Sequence, residues 1–194
     1  MLAFDRDTSR DNANVAPPLL LIDCQEGFKH PTNWGLTRSN PAFERNLARL
    51  VALFHAQNFS SLHVANHSLE PGSPLNPEYE DGVGVAFIPE ATPHPARDEP
   101  VFERNGNSST QGVRGVRTLF VAGLETDRCV STTVRMGANL GVVGAREAGG
   151  GGTIWLLQDA VANFARGRWD AEVVHAVNVA SLEGELHGRE VSDQ

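Results

Sequence analysis

Apolar residues along this chain come in short solid runs, separated by polar stretches rich in glycine and proline. The first run is Leu19-Leu20-Leu21-Ile22, introduced by Pro17-Pro18 and ended by Asp23-Cys24-Gln25. A continuous apolar run of that length suits a strand buried on both faces. Leu47, Leu50, Val51 and Phe54 then recur at helical spacing. Ser39-Asn40-Pro41 supplies a capping residue ahead of a proline in the first turn, so a helix is predicted from there to about 58. Further strands are predicted over 62–65, 118–122 and 153–157, the last ended by Gln158-Asp159. The 118–122 strand runs through Gly123 into an amphipathic segment over 127–140. A final helix is predicted over 168–182, with Val173, Val174, Val177 and Leu182 on its apolar side. Between 68 and 100 the chain is irregular and rich in Pro and Gly, and includes Ser73-Pro74-Leu75-Asn76-Pro77. A connection this long in a compact domain is more often functional than idle. Residues 149–152 are four glycines, read as a turn; no lysine follows and a strand comes next, so this is not a phosphate loop.

Strands alternating with helices imply a mostly parallel sheet covered on both faces, a three-layer α/β/α sandwich. Residues 1–16 read as a flexible leader and 17–194 as a single domain. In such sheets ligands bind beyond the carboxyl ends of the strands. Asp23 ends the first strand and 123–129 lies beyond the third, so the two are expected to face one crevice.

Composition narrows the function classes. The chain has 194 residues, 40% apolar and 21% charged, which fits a globular domain. With 24 acidic and 16 basic residues, it lacks the basic footprint of a nucleic-acid binder. Two cysteines exclude a disulfide scaffold and an all-cysteine zinc site. No apolar run is long enough for a membrane span, and residues 1–14 carry no apolar signal core, so a cytoplasmic location is expected. The seven histidines show no convergent ligand spacing. No metal and no cofactor are expected, and the partner is a small-molecule substrate.

Cys129 is the most informative residue. It follows a strand, a glycine and the polar turn Leu124-Glu125-Thr126-Asp127-Arg128, and Val130 opens the next helical pattern. A cysteine at a helix N-terminus meets unpaired N–H groups and the positive dipole end, which favour the thiolate. The alternative is a small buried hydrophobe at a helix start. Asp23 reads either as a catalytic carboxylate or as a turn-capping residue. Cys24 is expected to point to the opposite side from Asp23 and to be structural. Phe28 and Trp34, after Asp23, and His67, at the end of a strand, are candidate walls of a substrate pocket, with core or lid contacts the alternative for the two aromatics.

Three segments resemble the isochorismatase-like cysteine hydrolases, and the likeness spans about residues 17–186. The first is Leu-Leu-Leu-Ile-Asp-Cys-Gln at 19–25. The second is His67 with Ser73-Pro74-Leu75. The third and most specific is Val-Ala-Gly-Leu-Glu-Thr-Asp-Arg-Cys-Val at 121–130, continued by Ser-Thr-Thr-Val-Arg-Met. Asp159-Ala160-Val161 and the helix from Ala171-Glu172 to Ser181 complete the pattern. The resemblance implies a three-layer fold and an Asp-Lys-Cys triad, with Asp23 as base and Cys129 as nucleophile. It also implies a cis peptide after Leu124 that aims the N–H groups of Glu125 and Cys129 at an oxyanion. The implied reaction is thiol attack on an amide or ureide carbonyl, a thioester intermediate, and hydrolysis. Members that cleave the vinyl ether of isochorismate lack this cysteine, so Cys129 favours C–N hydrolysis.

Two departures stand out. Arg104 occupies the position of the triad lysine. It keeps the positive charge, but its planar fork is bulkier and sheds no proton. The family helix before the 118–122 strand is replaced by Thr-Gln-Gly-Val-Arg-Gly-Val-Arg at 110–117, too glycine- and valine-rich for a stable helix of three turns. These departures keep open a catalytically impaired member with a binding or regulatory role, and a vinyl-ether hydrolase whose arginine pairs with a carboxylate substrate. A homo-oligomer, dimer or tetramer, is expected from the resemblance and from the thin edge near 110–117.

Overall fold

The structure is a computed structural model that describes residues 16–108, 110, 113, 116–144 and 152–183. Five parallel strands, β1 (Leu19–Ile22), β2 (Ser61–Asn66), β3 (Val101–Arg104), β4 (Thr118–Leu124) and β5 (Thr153–Ala162), form one sheet in the order β3-β2-β1-β4-β5. Central β1 is fully buried because every residue in it is apolar and both faces are covered. Leu19 and Leu21 face one core cluster with Phe43, Leu47 and Phe54 of α1 (Phe43–Ala56). Leu20 and Ile22 face the other, with Val134 of α2 (Ser131–Asn139) and Leu182 of α3 (Ala171–Glu183). The three-layer α/β/α architecture is thus as expected, and burying each such leucine contributes roughly 1.5–3 kcal/mol.

Several boundaries differ from the pattern-based reading. Strand β3 was not expected. It is a four-residue edge strand carrying Glu103 and Arg104, too short and too charged to stand out as an apolar run. Strand β5 continues past Gln158-Asp159, because a register irregularity opposite Val121 and Gly123 absorbs the polar pair. Asn40 and Asn46 both donate to the Asp159 carbonyl, at 2.6 and 2.9 Å. The Ser39-Asn40 pair therefore does not cap α1, which begins at Phe43 without a side-chain cap. Instead Ser39 Oγ accepts from the Asn163 N–H at 2.9 Å, strapping the end of β5 to α1. Helix α3 is apolar on nearly every side, so its periodicity marked the buried face only in part: Leu182 is buried as expected, together with Ala171 and Val179, while Val173 and Val177 are exposed. The 67–100 connection holds only short 3-10 turns. Between β3 and β4 no described residue is helical, and Val113 is buried in the second core. The leader over 1–15, most of the glycine turn at 149–152, and residues 109, 111, 112, 114 and 115 of the shortened crossover lie outside the described residues. Among those described, no helix is long and apolar enough to cross a membrane.

Candidate active site

The carboxyl ends of β1, β3 and β4 bring three sequence-distant residues together. Asp23 follows β1 at φ 54 with its N–H bonded to the Val64 carbonyl at 3.0 Å, and it is fully buried. Arg104, the last residue of β3, is also buried, and its Nη2 donates to Asp23 Oδ2. Cys129 sits in a π-helical turn, Thr126–Val130, that joins β4 to α2. Its thiol lies close enough to Asp23 and Arg104 for both to act on it, and Sγ donates to Asn107 Oδ1 at 3.8 Å.

Close approach of the backbones makes this convergence work. Gly123 has φ +126, and a Cβ there would lie 2.0 Å from the Ile22 carbonyl oxygen. Only glycine lets β4 pass β1 at that point, two residues before the turn that carries Cys129. Gln25 holds the other side. Its Oε1 accepts from the Asn66 N–H at 2.8 Å, and its Nε2 donates to the carbonyls of Asn66 and Val85 at 3.2 and 3.0 Å. The ends of β1 and β2 and the 85–87 segment are thereby locked around Asp23. Thr126 Oγ1 reaches the Ala162 carbonyl at 3.1 Å and His175 Nδ1 at 3.0 Å, pinning the cysteine turn to β5 and α3.

The electrostatics revise one expectation. Burial, together with the negative charge of Asp23, pushes the Cys129 thiol up to about 12, and the Arg104 charge only partly opposes this. The helix end does not yield a resting thiolate, since the sulfur is buried and faces a carboxylate. Burial also raises the Asp23 carboxyl from 3.8 to about 6, against the pull of Arg104. At neutral pH the resting pair is therefore a protonated thiol beside a largely ionised carboxylate. Among the described residues, Asp23 Oδ1 and Arg104 Nε and Nη1 are buried without a hydrogen-bond partner, which leaves hydrogen-bonding capacity at the site centre.

The peptide bond between Leu124 and Glu125 is cis, where the resemblance implies one. A cleft of about 420 Å3 opens at this end of the sheet, lined by Asn33, Trp34, Asn66, Ser68, Glu70 and Arg128 among others. Trp34 forms part of this wall and donates from Nε1 to the Gly27 carbonyl at 2.7 Å. Phe28 lies behind it in the core, its ring 4.5 Å from that of Trp34. The His67 side chain turns to Glu103, at 3.6 Å, and does not line the cleft. Cys24 is buried in the first core cluster, away from the charged side of Asp23. A second hollow, about 430 Å3 and apolar, lies between α1, β5 and α3, and none of the site residues lines it. Sequence reasoning missed Asn107 and Arg166; the former lies in a loop without pattern, and the latter becomes meaningful only through its partners across the fold. Among the described residues, no group of three or more His, Cys, Asp or Glu side chains is arranged to hold a metal ion.

Comparison with known proteins agrees with this fold. The model of the isochorismatase domain matches residues 17–183. YrdC, an isochorismatase-family protein of Bacillus subtilis strain 168, is 27% identical over 189 residues, covering 91% of this chain and 92% of its own. An isochorismatase-family structure from Chromobacterium violaceum is 32% identical, covers 88% of this chain and 86% of its own, and superposes with a TM-score of 0.71. The nicotinamidase PncA of Bacillus subtilis shares the fold at 20% identity, with a TM-score of 0.66 over 92% of this chain and all of its own. The chain belongs to the isochorismatase family.

Proposed function

We propose that this protein hydrolyses the amide or ureide C–N bond of a small molecule, with Cys129 as nucleophile, Asp23 as general base and Arg104 as the cation that holds Asp23 ionised. The observation that carries this reading is the buried convergence of Asp23, Arg104 and Cys129 at the strand ends. Because the resting thiol is protonated, proton transfer to Asp23 accompanies attack of Sγ on the carbonyl carbon. The S–C bond forms, and the carbonyl oxygen takes up negative charge near the N–H groups of Glu125 and Cys129. The proton held by Asp23 then passes to the departing nitrogen as the C–N bond breaks, leaving a thioester. Water, deprotonated by Asp23, attacks that thioester and frees the acid and the thiol. Arg104 performs the electrostatic part of the lysine's role, which needs a fixed positive charge and no proton exchange.

The raised thiol also supports a second reading, in which the site binds a ligand without turning it over. A panel of primary amides and ureides, assayed for ammonia release, separates the two. The hydrolase reading expects turnover of at least one compound by the wild-type protein and none by Cys129→Ala. Saturable binding without ammonia release favours the second reading. Turnover that survives in Cys129→Ala contradicts the role of the sulfur.

A further inference from the structure

Arg166 ties the cysteine turn to the cleft wall. It follows β5 in a tight turn, where its backbone exchanges hydrogen bonds with Trp169 at 2.9 and 3.0 Å. Its guanidinium is therefore presented from a fixed backbone. Nη2 donates to Glu125 Oε1 and, at 3.2 Å, to Asp127 Oδ1. Nε donates to Asp127 Oδ2 at 2.8 Å, and Nη1 reaches the Trp34 carbonyl at 3.4 Å. One planar cation thus bridges both carboxylates of the turn that ends in Cys129 and the loop that carries the aromatic wall.

The two carboxylates explain why a cation is needed there. Glu125 is almost fully buried, and its charge is felt at Asp23, whose carboxyl it helps to raise. Unopposed, Glu125 and Asp127 would also resist negative charge on Sγ and on an attacked carbonyl oxygen. Arg128, the other cation nearby, stands 3.9 Å from Glu125 with about half of its side chain in solvent.

We propose that Arg166 is a positioning residue of this site: it neutralises Glu125 and Asp127 and fixes the cysteine turn against the Trp34 loop, so that charge developing at Cys129 meets no uncompensated anion from its own turn. The proposal rests on the hydrolase reading above and adds a requirement to it.

The test compares Arg166→Gln, Arg166→Lys and the double variant Arg166→Gln/Glu125→Gln. Glutamine removes the charge and keeps a polar hydrogen-bonding end on a shorter stem, and lysine restores the charge. The first readout is the rate of Cys129 alkylation by iodoacetamide at pH 7, with Cys24 as internal control, which needs no substrate. The second is the kcat and KM for any amide the wild type hydrolyses. Arg166→Gln is expected to lower Cys129 alkylation and kcat about tenfold, with KM nearly unchanged. Removing the unpaired Glu125 charge in the double variant recovers at least part of both, and Arg166→Lys retains more than Arg166→Gln. A double variant no faster than Arg166→Gln in alkylation overturns the electrostatic role, as does a loss confined to KM. Absence of amide turnover in the wild type contradicts the hydrolase reading alone, because the alkylation series still decides the role of Arg166.

Discussion

Arg104→Gln is the most informative perturbation of the site. In the native protein, burial raises the Asp23 carboxyl to about 6, and the Arg104 charge is the largest influence pulling it down. A group titrating near 6 is about nine-tenths ionised at pH 7. Without Arg104 only the Cys129 hydrogen bond still opposes the burial, so the carboxyl moves further up and becomes mostly neutral at pH 7. A displacement of about two pH units cuts the ionised share about tenfold, and each tenfold corresponds to about 1.4 kcal/mol. Removing one partner of a buried ion pair ordinarily costs about 3–5 kcal/mol. Proton uptake by Asp23 limits that cost, so the variant is expected to fold. The assay is the pH dependence of Cys129 alkylation, followed by peptide mass spectrometry with Cys24 as the slow reference. The wild type should lose reactivity below about pH 6. The variant should lose it about two pH units higher and react about tenfold more slowly at pH 7. A folded variant whose acid limb stays near pH 6 would refute the assignment of Arg104 as the cation that keeps Asp23 ionised.

Three further outcomes follow from the same geometry. Asp23 titrates higher in the native protein than its ordinary 3.8, so the native state holds an extra proton between about pH 4 and 6 and loses stability as pH rises through that window. Asp23→Asn should therefore flatten the pH dependence of stability between about pH 4 and 6 in urea titrations, while it leaves Arg104 buried without its anion; a profile through that window as steep as the wild type's would contradict it. Gly123→Ala should prevent folding, seen as loss of cooperative thermal unfolding by circular dichroism, because its Cβ would meet the Ile22 carbonyl oxygen at 2.0 Å. His63, buried against Phe87, is held below its ordinary 6.5 by burial, so the unfolded chain binds the extra proton and stability falls as pH drops through that range. The nearby Glu99 carboxylate opposes this, and His63→Phe should flatten the stability profile as pH falls below the ordinary 6.5.

Much of the fold could be read from the chain because its central strands are solid apolar runs that only a doubly covered sheet can bury. What escaped depends on pairing across the fold. Strand β3 is recognisable only by its register with β2, since Val101–Arg104 is short, partly exposed and ends in two adjacent charges. The buried face of α3 was legible only at Leu182, because valines surround the helix and only burial in the fold selects Val179 over Val173 and Val177. At the site, Asp23 and Cys129 were identifiable from motif and position, and Arg104 from the family spacing. Their protonation was not, because a helix end alone predicts a thiolate, whereas burial beside a carboxylate reverses the sign. Arg166 was invisible for a related reason: its two carboxylate partners lie about forty positions away, and nothing local marks it.

The most direct test of the central claim is to quench the protein with acid during turnover of an amide it hydrolyses and to weigh the peptide that contains Cys129. The account predicts an added mass equal to the acyl group on Cys129, absent from the Cys24 peptide and lost on longer incubation before quenching. Steady turnover with Cys129 unmodified at every time point, and undiminished in Cys129→Ala, would contradict it.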